Sequence, residues 1–167
     1  DFAAEAGIFR ELSKFLLSGS LYRGKKSVMW SVVEKTALAE AEVEYHDRTS
    51  PTIHVRFPVV RPSVPALEGA SGVIWTTTPW TIPGNRAVAY GDEIDYRVVE
   101  GVETAEGSLA RTGERLLLAV ERVEEVVREA GIASYRVVAE VAGAALAGTV
   151  CRHPFQGLEG GYAFPVP

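Results

Sequence analysis

Seventeen residues concentrate the groups that could do chemistry: Gly72-Val73-Ile74-Trp75-Thr76-Thr77-Thr78-Pro79-Trp80-Thr81-Ile82-Pro83-Gly84-Asn85-Arg86-Ala87-Val88. An apolar, β-prone run leads into three threonines, then into a segment marked by two prolines, a tryptophan and a glycine. Threonine is β-branched and favours extended backbone, so the strand continues into the triplet. Alternation along a strand points Thr76 and Thr78 one way and Thr77 the other. Pro79 lacks a ladder donor and restricts Thr78, which ends the strand there. A row of hydroxyls at a sheet's lip could position a water and donate hydrogen bonds to a developing oxyanion. Hydroxyls are poor general bases at neutral pH, so positioning is the expected role, not nucleophilic attack.

Nothing else in the chain supplies a stronger catalytic set. The three histidines, His46, His54 and His153, lie in unrelated places, and no Ser-His-Asp arrangement is visible. His46 and His54 are expected to point outward, and His153, ahead of Pro154, to be a structural hydrogen bonder. The single cysteine, Cys151, excludes an internal disulfide and a cysteine-built metal site; it is expected to be buried and inert. No metal site is expected.

The chain has 167 residues, 47% hydrophobic and 23% charged, enough for one globular domain with a core. Its net charge of −5 argues against a domain that grips nucleic acid mainly through its own surface. The one basic concentration, Arg23, Lys25 and Lys26 around Gly24, reads as a solvated turn. No run approaches the length of a membrane span, and the N-terminus lacks signal-peptide features and an initiator methionine, as expected of an excised piece.

The elements that must position the threonines follow from periodicity. Residues 3–18 form an amphipathic helix with Ala6, Phe9, Leu12, Phe15 and Leu16 on one face. Residues 34–40 could make one or two helical turns. Residues 43–47 and 53–57 flank Arg48-Thr49-Ser50-Pro51 and read as a β-hairpin, appended to the site rather than central to it. Pro58, Pro62 and Pro65 mark a linker or surface loop. Strands are expected at 86–90, 96–100, 115–119 and 135–141, a mobile polar loop at 101–113, and an extended piece at 149–152. A helix over 120–130 should bury Val123, Val126 and Val127 and stop at Gly131. Together these predict an α+β fold built on a β-barrel-like sheet.

The threonine string resembles the editing domain of class I isoleucyl-tRNA synthetases. Valyl and leucyl relatives typically show Thr-Thr-Arg-Pro-Glu or Thr-Thr-Arg-Pro-Asp at this place. Two further segments agree: Ala37-Leu38-Ala39-Glu40-Ala41-Glu42-Val43-Glu44-Tyr45 with His46-Asp47-Arg48-Thr49-Ser50-Pro51, and Arg152-His153-Pro154-Phe155. The resemblance implies an editing domain of the valyl/isoleucyl/leucyl type over 36–167, truncated at its C-terminal side, with 1–35 adjoining the synthetase core. It implies hydrolysis of valine esterified to tRNA(Ile), in the cytoplasm. One methylene is worth only ~1–3 kcal/mol to a selecting pocket, a figure established on isoleucine-selecting synthetases themselves rather than obtained from this chain.

By the same match, Thr76, Thr77, Thr78 and Asn85 are the catalytic-site residues, and Trp80 and Thr81 shape the aminoacyl side. Core packing for Trp80 and a left-handed turn for Asn85 are equally good readings, and Arg86 reads as a structural ion-pair partner. The family's later Gly-Thr-Gly…His…Ala-Pro…His-Gly…Asp segment is absent, as are the nucleotide signatures His-Ile-Gly-His and Lys-Met-Ser-Lys-Ser. ATP use is therefore implied only for the catalytic core of a parent protein, with no cofactor in these residues. The implied partners are mischarged tRNA(Ile), the remaining synthetase domains and, through an unpaired strand edge, a second copy of the chain. Alternatives are a non-catalytic RNA- or protein-binding β-domain and a valyl or leucyl editing domain.

Overall fold

The computed structural model describes all residues, 1–167, as two compact units, 1–48 and 49–167. The first begins with helix α1 (Phe2–Leu17). Asp1 caps it by accepting the Ala3 N–H at 3.0 Å, satisfying one of the donors a helix start leaves orphaned. The amphipathic face is present in sequence, yet no residue of α1 is buried: Phe9, Leu12, Phe15 and Leu16 are all exposed. Beyond it, β1 (Trp30–Ser31) and β2 (Thr36–Ala37) pair antiparallel around Lys35, whose φ is 56°. The expected helical turns over 34–40 are replaced by this small hairpin and a 3-10 turn, Glu40–Glu42.

All the buried residues lie in the second unit. Its strands are β3 (Ile53–Arg61), β4 (Ala70–Thr76), β5 (Asp95–Thr104), β6 (Arg115–Ala119), β7 (Ile132–Ala142), β8 (Val150–Arg152) and β9 (Pro165–Val166). They form one seven-stranded sheet in the order β7-β5-β6-β4-β3-β8-β9, with β4–β6 parallel and the other pairs antiparallel. The fold is α+β as expected, but the sheet is open, with β7 and β9 at its edges, rather than a closed barrel.

Strand alternation fills both faces of the sheet. On one, Val99, Leu116 and Leu118 pack with Val123, Val126 and Val127 of α2 (Val123–Glu129). On the other, their neighbour Val98 joins Leu67, Ala70, Val141 and Leu146. The expected α2 stripe is buried, and Gly131 ends the helix with φ of 72°. A third cluster, Phe57, Cys151 and Val166, closes β3, β8 and β9 together.

Four expectations fail here. The hairpin does not form: residues 43–47 contain no strand, and β3 pairs instead with β4, placing Ile53 opposite Thr76 and His54 opposite Trp75. Tyr45 is 90% exposed, so that segment has little to bury, whereas β3 inserts Phe57 into the core. β3 is thus the direct neighbour of the threonine strand, not an appendage. Second, β3 runs through Pro58 to Arg61. It pairs with β4 up to Pro58 and with β8 from Val59, so the proline sits at the changeover, beside an irregularity between Val59 and Arg61. Third, residues 86–90 form no strand, although the Val88 N–H donates to the Pro167 carbonyl at 2.9 Å. Fourth, β5 extends to Thr104, taking its last four residues from the segment read as a loop.

Candidate functional site

β4 ends at Thr76, and the chain turns at Thr77 and Thr78 into a 3-10 segment, Pro79–Gly84. Proline at its first position loses no helical hydrogen bond there. Thr76 Oγ1 accepts the Thr78 N–H at 3.0 Å and lies 3.2 Å from Thr78 Oγ1. Thr78 Oγ1 lies 3.2 Å from Thr81 Oγ1, which donates to the Thr78 carbonyl at 2.7 Å.

These distances fix a direction, because each hydroxyl owns one proton. Thr81 gives its proton to a carbonyl, so Thr78 must donate to Thr81. Thr76 must then donate to Thr78. The chain of donation runs Thr76 to Thr78 to Thr81 to a backbone carbonyl. Thr76 and Thr78 share a side, as alternation requires, and both are half-buried while Thr77 and Thr81 are exposed. Thr77 joins the local network only through its carbonyl, which accepts from Ser50 Oγ at 3.3 Å. Its hydroxyl proton is uncommitted. The site therefore offers lone pairs on three linked hydroxyls, and a free donor on Thr77 at the bend that follows β4.

The other expected residues separate. Asn85 Nδ2 donates to the Ala87 carbonyl at 2.8 Å, so its side chain braces the loop's exit. Its φ is −71°, which removes the left-handed turn reading. Trp80 is 68% exposed, which removes core packing. Arg86 forms no ion pair; its guanidinium sits 3.7 Å over the Phe164 ring. Beside the middle of β4 lies an apolar cavity of about 290 Å³, bordered by Gly72, Val73, Ile74, Val88, Tyr96 and Leu117. Its nearest lining residue on β4, Ile74, stands two residues before Thr76.

Of the histidines, His46 is exposed as expected. His54 is not outward-facing: its side chain is 26% exposed and Nδ1 lies 3.3 Å from Glu129 on α2. His153 is buried and bonded at both ring nitrogens, as a structural hydrogen bonder should be. Cys151 is buried, and burial pushes its thiol pKa up. No group of three or more His, Cys, Asp or Glu side chains is placed to hold a metal. No helix is long and apolar enough to cross a membrane.

Two contributors escaped the sequence reading. Ser50 reaches Thr77 only because β3 pairs with β4, a contact that no local pattern announces. The Ile82 carbonyl is the other: it accepts the Asn85 N–H at 2.9 Å and faces His153 Nε2 at 2.8 Å. His153 was legible as a structural hydrogen bonder, but nothing in the sequence named Ile82 as its partner.

Comparison with known proteins identifies the family. A family profile for tRNA synthetases class I (I, L, M and V) matches residues 1–141. Isoleucine–tRNA ligase of Gluconobacter oxydans is 53% identical over 100% of this chain and 17% of its own length. Those of Rhodopseudomonas palustris and Caulobacter vibrioides are 51% and 50% identical, again over 100% of this chain and over 16% and 17% of theirs. The chain thus spans about a sixth of the length of these relatives. By the profile match over most of its residues, it belongs to the class I tRNA synthetases of the isoleucine, leucine, methionine and valine group.

Proposed function

We propose that the chain is part of an isoleucyl-tRNA synthetase and forms the threonine wall of a site that hydrolyses valine esterified to tRNA(Ile). The observation that carries this reading is the directed hydroxyl chain from Thr76 to Thr81, with Thr77 left free to donate. The linked hydroxyls present lone pairs that can hold an attacking water by its protons. Water adds to the ester carbonyl, and negative charge gathers on the carbonyl oxygen; Thr77, at the bend that follows β4 and with its hydroxyl proton uncommitted, is the donor assigned to stabilise it. The ribose oxygen leaves and takes up the proton that the attacking water sheds, relayed through the neighbouring ribose hydroxyl. Thr76, Thr78 and Thr81 position; Thr77 stabilises; Asn85 holds the loop; Trp80, standing exposed beside the hydroxyls, borders the aminoacyl group.

The identity of the matched relatives favours isoleucine over valine or leucine. Isoleucine activation with ATP belongs to other parts of the parent protein, which works in the cytoplasm on tRNA. One observation favours a second reading, a binding domain without chemistry: residues 72–88 contain no carboxylate and no histidine, so nothing in the loop can pair with a substrate ammonium or take a proton from water. The hydrolytic reading therefore requires partner groups from the rest of the synthetase.

The test uses the intact synthetase and the 167-residue chain separately, each given valyl-tRNA(Ile), with release of valine followed. The intact enzyme should hydrolyse the valyl ester and spare the isoleucyl ester, and Thr77→Val should slow it by roughly 100–1000-fold, as loss of one oxyanion donor does. The 167-residue chain should be slow or inert. Unchanged hydrolysis in the Thr77→Val enzyme would remove the assigned donor, and no hydrolysis by the intact enzyme would favour the binding domain.

A further inference from the structure

The threonine loop is tied to the C-terminal part of the chain at one buried point. His153 is 1% exposed. Its Nδ1 accepts the Phe155 N–H at 3.1 Å, so Nδ1 carries no proton. The ring proton of neutral histidine must then sit on Nε2, which donates to the Ile82 carbonyl at 2.8 Å. That carbonyl also accepts the Asn85 N–H, the bond that closes the last 3-10 turn of the loop. Both of its lone pairs are engaged, one from within the loop and one from outside it.

The imidazole is held on all sides. Tyr162 stacks on it with centroids 5.0 Å apart and planes 12° from parallel. Phe155 and Phe57 meet it edge-on, and Phe164 lies 5.2 Å away. Phe164 in turn carries the Arg86 guanidinium, two positions beyond Gly84. Residues 153–164 therefore grip the loop at Ile82 by a hydrogen bond and at Arg86 by a cation–π contact.

We propose that His153 is a positioning residue for the threonine site: as the Nε2–H tautomer it fixes the Ile82 carbonyl, and through it the placement of Thr78, Thr81 and Asn85. Its ring does not meet the hydroxyls; it acts through the loop. Because the 3-10 segment carries Thr78 at its start and Asn85 at its end, loosening Ile82 lets both ends drift. Misplacement of about 1 Å at a reacting centre can cost on the order of 100-fold in rate. The inference rests on the hydrolytic reading for its effect on catalysis, while the tautomer and the clamp are claims about structure alone.

Two substitutions separate the two hydrogen bonds. His153→Asn keeps an acceptor near the Nδ1 position for Phe155 but has no donor long enough for Ile82. His153→Gln can place an amide N–H where Nε2 was. In the intact synthetase, His153→Asn should slow valyl-tRNA(Ile) hydrolysis about tenfold or more through kcat, with isoleucine charging unchanged. His153→Gln should recover most of the loss. Wild-type hydrolysis by His153→Asn, or an equal loss in both variants, would overturn the positioning role. Should both variants fail to fold, nitrogen-15 NMR of wild-type His153 in the 167-residue chain still decides: the Nε2–H tautomer with a protected Asn85 amide supports the clamp, and the Nδ1–H tautomer or an unprotected amide ends it. An intact wild-type enzyme that hydrolyses no valyl ester would defeat the functional reading while leaving the clamp to be judged by those spectra.

Discussion

Thr76 Oγ1 accepts the backbone N–H of Thr78 at 3.0 Å, so the first hydroxyl of the triplet holds the third residue at the exit from β4. With Thr78 half-buried, that N–H has few other partners. Thr76→Val preserves shape and β propensity but removes the acceptor and the head of the hydroxyl chain. An unsatisfied buried donor costs about 1–3 kcal/mol. Thr76→Val should lower the urea midpoint accordingly, whereas Thr77→Val, at an exposed hydroxyl without an internal partner, should stay within about 0.5 kcal/mol of wild type. Equal midpoints for the two variants would contradict the assigned bonding.

Glu100 on β5 faces Arg115 on β6 and Arg136 on β7 in register, an acid with a cross-strand base on either side. Hydrogen bonds from Arg115 and then Arg136 hold its carboxyl below the usual carboxylate range. A depressed pKa contributes stability above the unfolded value of about 4.3, and that contribution disappears as pH falls through the lower folded value. Glu100→Gln should therefore be less stable than wild type at pH 7, with the gap narrowing below pH about 4 as wild-type Glu100 itself becomes protonated. Thermal melts of both proteins across that range would show it; a constant gap would mean that the charge is not what matters.

Local patterns foretold much of this fold. β6 lies at its expected bounds, and α2 buries the expected Val123, Val126 and Val127, because strand content, helical periodicity and a stop glycine are written within a few residues. Partner choice is not local. Residues 43–47 and 53–57 look like two arms of a hairpin, yet only the second has core contacts to gain, and it gains them against β4. Pro58 reads as a break until β8 is known to take over beyond it. At the site, the shared side of Thr76 and Thr78 followed from alternation alone. The direction of proton donation and the His153 anchor needed distances between residues up to 71 positions apart.

Cys151 should behave as a core atom rather than a reagent. It packs with Phe57 and Val166, and burial raises its thiol pKa, so the reactive thiolate is disfavoured twice, by access and by charge. A thiol-specific reagent at pH 8 should label the folded chain slowly and the urea-unfolded chain at once. Fast labelling in native buffer would show that β8 and β9 open readily from β3.

Gly143 follows β7 at the point where the 91–94 turn folds back on it. Its N–H donates to the Ile94 carbonyl at 2.8 Å, and the Ala144 N–H donates to the Asp92 carbonyl at 3.0 Å. A Cβ at residue 143 would fall within contact distance of the Gly91, Asp92 and Ile94 carbonyl oxygens. These are backbone atoms, which cannot swing aside as a flexible side chain can. Relief requires the turn to move off, which breaks both hydrogen bonds and uncovers the start of β5. Overpacking of this kind typically costs about 1–3 kcal/mol. Gly72, in the middle of β4, is the control, since a Cβ there meets nothing within 4 Å. Gly143→Ala should lower the urea midpoint clearly and Gly72→Ala much less. If both variants unfold with the wild type, the 91–94 turn yields more easily than its bonding to Gly143 implies.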